Sequence, residues 1–259
     1  MTVDLKKIKE KLDKLQNPGS GRKTWRPSLD KDNKIRILEN PHSDDPFPEI
    51  YFHYLGRNSV MCLYRTHGEE CPICDFVREL WDSEDKVDVD MAKKLSARRR
   101  SFAPVVDRSD PTLTPKWWGF GSTVYEKLLG YCLNEQYEGY LDTKKGLDAT
   151  VELKQIKGKK YPDTDVILDR KETPLADSAK EIKEILGNVV PLEQVYEKPD
   201  ISEVVKKFQS WIKKKEANEP WDDSGKDDSK TEETRGSKDD DDTGYDDVAE
   251  AFRTAADKE

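Results

Sequence analysis

The run Cys71-Pro72-Ile73-Cys74 constrains the fold of this chain more than any other. Two thiolates three residues apart can reach one tetrahedral ion, with metal–sulfur bonds near ~2.3 Å. A chain tied in this way must bring two more ligands to the same point. Residues 75–81 follow at once as a helix-compatible stretch, with Val77, Leu80 and Trp81 as candidate core contacts. A single C-x2-C is weak evidence alone, since three unrelated core cysteines would also explain it. The residues upstream strengthen it. Residues 50–55 and 59–64 read as two strands turning through Gly56-Arg57-Asn58. A turn symmetric about Arg57 and Asn58 sets His53 opposite Cys62, and directly opposed residues have Cβ atoms about 4.5–5.5 Å apart. His53, Cys62, Cys71 and Cys74 then form a closed Cys3His set with no open position, which implies one structural Zn2+ and not a catalytic one. His67, between Cys62 and Cys71, is the competing fourth ligand.

Charge divides the chain into three regions. Residues 216–259 carry 17 acids against 6 bases, whereas the first 26 residues carry eight bases against three acids. Between them lies a body of nearly balanced charge. With hydrophobic residues at 34% and charged residues at 38%, one core plus unfolded segments is expected. The acidic tail has too little apolar surface to offset the entropy of ordering, so it reads as disordered. It ends in a segment where Tyr245 is followed by Val248, Ala251 and Phe252 at helical spacing, suited to a partner's groove; a plain solubility tail is the other reading. At the opposite end, Leu5, Ile8, Leu12 and Leu15 form a helical stripe bordered by Lys6, Lys7, Lys9, Lys11 and Lys14, stopped by Asn17-Pro18-Gly19. That helix either packs on its own domain or projects as a basic arm.

Further strands are expected at 34–38, 102–106, 116–121, 149–156 and 165–168, and helices at 122–132, 177–186 and 201–215. Tyr125, Leu128, Leu129 and Cys132 share one side of the first of these helices, which places Cys132 in the core. Several short strands with few helices favour a small barrel or sandwich. No apolar stretch approaches the ~18 residues of a membrane-spanning helix, and residues 1–14 alternate Lys with Leu and Ile instead of forming a signal-peptide apolar block. A soluble protein that stays where it is made is the expectation, and four cysteines, three of them close together, suit metal binding in a reducing compartment.

Three clusters set aromatics among cations: Arg98-Arg99-Arg100-Ser101-Phe102, Lys116-Trp117-Trp118-Gly119-Phe120, and a hairpin with Lys157, Lys159, Lys160 and Tyr161. Single-stranded nucleic acid is bound by this combination, cations tracking phosphates while ring faces stack on bases at roughly 1–3 kcal/mol each. Strand alternation lets only one of Trp117 and Trp118 face such a groove. Each aromatic alone is more simply a core residue; three cation-flanked clusters together favour binding.

The order His53, Cys62, His67-Gly68, Cys71-Pro-Ile-Cys74, then Arg98–Phe102, Val105-Val106-Asp107 and Trp118-Gly-Phe120-Gly121, resembles the single-stranded DNA-binding proteins of T-even bacteriophages, the gene 32 protein family. The likeness runs from basic arm to acidic tail, with its firmest matching over about residues 35–168. It implies a mainly β, α+β architecture: an oligonucleotide-binding (OB) fold barrel in residues 19–215, a zinc subdomain inserted at about 50–82, flanking helices, an arm at 1–18 and a disordered acidic tail at 216–259. It implies His53 as the fourth zinc ligand. It implies a DNA cleft without sequence preference served by Arg98, Arg99, Phe102, Trp118, Phe120 and Tyr161, to which the cation-flanked clusters add Arg100, Lys116, Lys157, Lys159 and Lys160. It also implies cooperative contact between neighbouring copies through Lys6, Lys7 and Lys9. The tail, through Tyr245, Val248 and Phe252, would recruit polymerase, helicase-loader and primase types of protein during phage replication, recombination and repair in the cytoplasm of the infected host. Two features differ: the His53–Cys62 gap is shorter than the family's, and the arm offers Lys6-Lys7-Ile8-Lys9 in place of a Lys-Arg-Ser-Thr motif.

A zinc-containing single-stranded RNA-binding regulator is the alternative, since an OB barrel accepts either nucleic acid. Enzymatic function is not expected. A metal-dependent nuclease needs carboxylates converging on an open metal site, and the densest acids lie in the tail.

Overall fold

The computed structural model describes residues 23–29, 33–56, 58–157 and 162–216. They divide into two units, one made of the described residues up to Pro48 with Ser101–Tyr196, the other of Glu49–Arg100 with those from Glu197 on. The arm residues Lys6, Lys7 and Lys9, the hairpin residues Lys159, Lys160 and Tyr161, and the tail residues Tyr245, Val248 and Phe252 lie outside the described residues.

The first unit is built on a sheet. Strand β1 (Thr24–Trp25) runs parallel to β6 (Lys116–Phe120), setting Trp25 beside Trp118. β6 pairs antiparallel with β5 (Arg98–Asp107), and β5 with β2 (Lys34–Ile37), where Ile35 faces Asp107. β2 pairs antiparallel with β7 (Leu147–Lys154), which pairs along its length with β8 (Asp163–Glu172). The resulting order is β1-β6-β5-β2-β7-β8. Among the described residues β1 and β8 do not pair, so the sheet is not closed into a barrel, contrary to the closed form expected from the sequence. The reason is local. β1 is two residues long and runs into Arg26-Pro27, and proline has no N–H with which to extend a ladder.

Trp25, Ile35, Ile37, Phe47, Val105, Trp118, Phe120 and Leu128 are among the core of this unit. β5 is buried continuously from Arg100 to Val106, the mark of a strand covered on both faces. At Gly119, the cross-strand partner of Phe102, a Cβ would stand 2.7 Å from the Phe102 ring, so glycine is required by the close approach. The helix α4 (Ser122–Cys132) buries Val124 and Leu128; Cys132, expected in the core, is exposed at the last position of the helix, with its Sγ 3.5 Å from the Tyr140 hydroxyl. The helix α5 (Ala179–Gly187) starts with a capping box between Ser178 and Glu181.

The second unit contains β3 (Glu49–Leu55), β4 (Asn58–Met61), α1 (Leu63–His67), α2 (Pro72–Asp82), α3 (Lys86–Leu95) and α6 (Ile201–Glu216). It is larger than a subdomain at 50–82 because α3 and α6 supply part of its core. Ile73, Phe76, Val77 and Leu80 give α2 an i, i+3, i+4, i+7 stripe, and α6 answers with Val204, Phe208, Trp211 and Ile212. The rings of Phe76 and Phe208 meet edge to face at 5.3 Å. Trp81, expected in this core, falls one residue beyond the stripe and is 46% exposed. Among the described residues no helix is long and apolar enough to cross a membrane.

Candidate metal centre

The hairpin turns one position earlier than a turn about Arg57 and Asn58 requires. Leu55 pairs with Asn58, and Gly56, directly after Leu55, has φ 67. Short hairpin turns favour positive φ, which glycine adopts freely. His53 therefore faces Val60, and Cys62 lies opposite Tyr51, whose carbonyl accepts its N–H at 2.8 Å. The shift is two residues in the pairing, so the period-two alternation still puts His53 and Cys62 on the same face.

Cys62 then ends the strand and caps α1, its Sγ accepting the Arg65 N–H at 3.3 Å. Gly68, at φ 71, closes that five-residue helix in the left-handed conformation. The chain turns back to Cys71, which precedes Pro72 at the start of α2, and Cys74 sits in the first turn.

These elements bring four donors together. Cys62 Sγ and Cys74 Sγ are 3.3 Å apart, and His53 Nε2 is 3.5 Å from both Cys71 Sγ and Cys74 Sγ. All four ligand atoms lie within 4.8 Å of one another. A tetrahedral ion with bonds of about 2.0–2.3 Å spaces its ligands about 3.5–3.8 Å apart, so the donor set and its spacing fit a metal ion. His53 is fully buried, and its Nδ1 lies 2.7 Å from the Leu95 carbonyl. An Nδ1–H donated there leaves Nε2 as the lone-pair donor toward the sulfurs, the outer support typical of a ligating histidine. His67 is exposed on the last turn of α1 and is not in the group.

The chain matches no protein-family model and no curated protein. Its site is read from geometry.

Electrostatics point the same way. Burial would lower the His53 pKa, but hydrogen bonds with Cys62 and Cys71 and with the Leu95 carbonyl outweigh it and raise the value to about 9. Hydrogen bonding from Cys62 and Cys74 pulls the Cys71 thiol down, while Cys62 and Cys71 push the Cys74 thiol up. The cluster is thus a place that wants positive charge. Without metal, the raised His53 pKa stabilises the fold below its unfolded value of ~6.5, and that contribution fades as pH rises through about 9. With metal the sign reverses, because protons compete for the same donors. Metal affinity should climb with pH while metal-free stability falls as pH rises through about 9, a divergence that a chelator-indicator titration beside thermal melts would read. Parallel trends would contradict it.

The expected DNA-cleft residues fall differently. Phe102, Trp118 and Phe120 are each 2% exposed and offer no ring face for stacking. Phe102 packs on Tyr196 at 4.8 Å, and Trp118 meets Trp25 edge to face at 5.7 Å. Trp117 is buried too, its indole N–H donating to the Val190 carbonyl, so neither tryptophan faces a groove. Alternation fails to separate them because β6, like β5, is covered on both sides. Arg100 is buried, Lys116 pairs with Asp110 at 3.5 Å, and Lys157 is exposed. Arg99 pairs with Glu49 at 3.2 Å, and Arg98 is half-buried with its guanidinium 6.0 Å from the centre of the Tyr54 ring. A second such pair, Arg65 over Tyr51 at 5.7 Å, is invisible in local sequence because its members are 14 positions apart.

Proposed function

We propose that this chain is a non-catalytic single-stranded DNA-binding protein in which His53, Cys62, Cys71 and Cys74 hold one structural zinc ion. The observation that carries the reading is the closed group of four soft donors on a hairpin and knuckle, which leaves no position for substrate and so serves to hold structure. Zinc is the ion that best suits three thiolates and an imidazole. Cation–aromatic pairs on the same unit supply the chemistry that unpaired bases and phosphates require. In this reading the first unit's sheet is an opened OB-type fold, and the likeness to the T-even phage gene 32 family extends to its role. The protein coats strands during phage replication, recombination and repair in the host cytoplasm, the arm at 1–18 joins neighbours, and the tail at 216–259 recruits replication proteins.

Equal-length single-stranded DNA, single-stranded RNA and duplex DNA separate the possibilities. Tightest binding should go to single-stranded DNA, with affinity falling by a slope of about 0.7 per phosphate neutralised as salt rises. Preference for RNA would instead make the chain a zinc-containing RNA-binding regulator, and binding to none of the three would overturn both.

A further inference from the structure

A base-stacking site needs a ring with an open face beside a cation fixed in place, and the buried Phe102, Trp118 and Phe120 provide no such face. Tyr64 does. It is 55% exposed and precedes Arg65, which is also exposed on α1. The Arg65 guanidinium stands 5.7 Å from the Tyr51 ring centre. A guanidinium laid on an aromatic face keeps its N–H edge outward, where it can meet a phosphate through two parallel hydrogen bonds.

The metal cluster builds this arrangement. A helix of five residues does not hold by itself in water, yet α1 is pinned at each turn. Cys62 caps it through Sγ to the Arg65 N–H, Cys62 N–H donates to the Tyr51 carbonyl, and Tyr51 N–H donates to Thr66 Oγ1 at 3.1 Å. Arg65 therefore hangs on a metal ligand, and Tyr51 is bound to the same turn. Of the acids that follow Gly68, Glu69 is engaged by Lys198, which reduces its opposition to a phosphate at Arg65.

We infer that Arg65 and Tyr64, with Tyr51 positioning the guanidinium, form a phosphate-and-base contact for a single strand on the metal-bearing unit. The inference deepens the binding function proposed above and rests on it.

The test uses the full metal-loaded chain with thymidine and uridine oligomers of equal length carrying iodouracil for photocross-linking. Cross-links should map to Tyr64. Tyr64→Ala should weaken binding between about five-fold and a hundred-fold with the salt slope unchanged, and Tyr64→Phe should restore it. Arg65→Ala should lower the slope by about 0.7, whereas Arg65→Lys, which keeps the charge, should leave the slope in place. All four variants should retain metal and melt like the parent, since both side chains are exposed. Parent-like binding by Tyr64→Ala and Arg65→Ala, or cross-links confined to other residues, would overturn this site while leaving the binding function standing. Failure of the unaltered protein to bind either oligomer would overturn the function itself.

Discussion

Replacing Cys71 with serine is expected to take the metal content from about one ion per chain to near zero and to unfold much of the second unit. Cys71 is buried beside His53 Nε2 at 3.5 Å, at the junction where α2 begins. Structural zinc contributes ~10–16 kcal/mol in finger peptides, where metal binding and folding are one event. This unit also has Phe76, Leu80, Phe208 and Trp211 to hold it, so part of its core should persist as the hairpin and α1 come apart. His53→Ala should lose metal in the same way. His67→Ala should not, because His67 stands exposed outside the cluster. Metal analysis with thermal melts checks all three. Normal metal in Cys71→Ser, or loss of metal in His67→Ala, would reverse the ligand assignment.

The second large effect lies in the first unit. Arg36 is fully buried, and its Nε donates to Asp148 Oδ1 at 2.9 Å; Arg108 donates to the same oxygen through Nε at 2.9 Å and Nη2 at 2.8 Å. Arg36 also donates to the carbonyls of Asp142 and Thr173, and Arg108 to those of Pro174 and Leu175. One carboxylate thus balances two guanidinium groups that tie down the chain after β8. Asp148→Ala leaves Arg36 charged and unpaired in the interior and should cost about 3–5 kcal/mol in denaturant melts. Replacing all three members by apolar residues, as in Arg36→Met and Arg108→Met with Asp148→Leu, should recover much of that loss, because the penalty comes from the isolated charge. A loss below about 1 kcal/mol for Asp148→Ala would show that the pair carries no such burden.

Part of this architecture was legible in local sequence. The knuckle, the histidine on the preceding strand and the amphipathic stripes of α2 and α6 follow from spacing, because thiolate geometry and helical period act over a few residues. The hairpin register did not, since Gly56 and not Asn58 sets the turn. α1 and α3 were missed for different reasons: α1 is a short helix held by Cys62 and Gly68, and α3 carries Val87 and Val89, whose β-branching weakens the helical signal. The cation-flanked aromatics misled because lysine and arginine also border buried strands. Whether a Trp faces solvent depends on what packs on each face of the sheet: Trp118 lies among Trp25 and Phe120, and the Trp117 indole N–H reaches the Val190 carbonyl. The pairs Arg65–Tyr51 and Arg98–Tyr54 require the fold to bring them together.

X-ray absorption at the metal edge of the purified protein tests the centre most directly. The account predicts one ion per chain with a shell of three sulfurs at about 2.3 Å and one imidazole nitrogen at about 2.0 Å, and no bound water. A shell with two sulfurs, or one containing an oxygen ligand, would contradict a closed site built by His53, Cys62, Cys71 and Cys74.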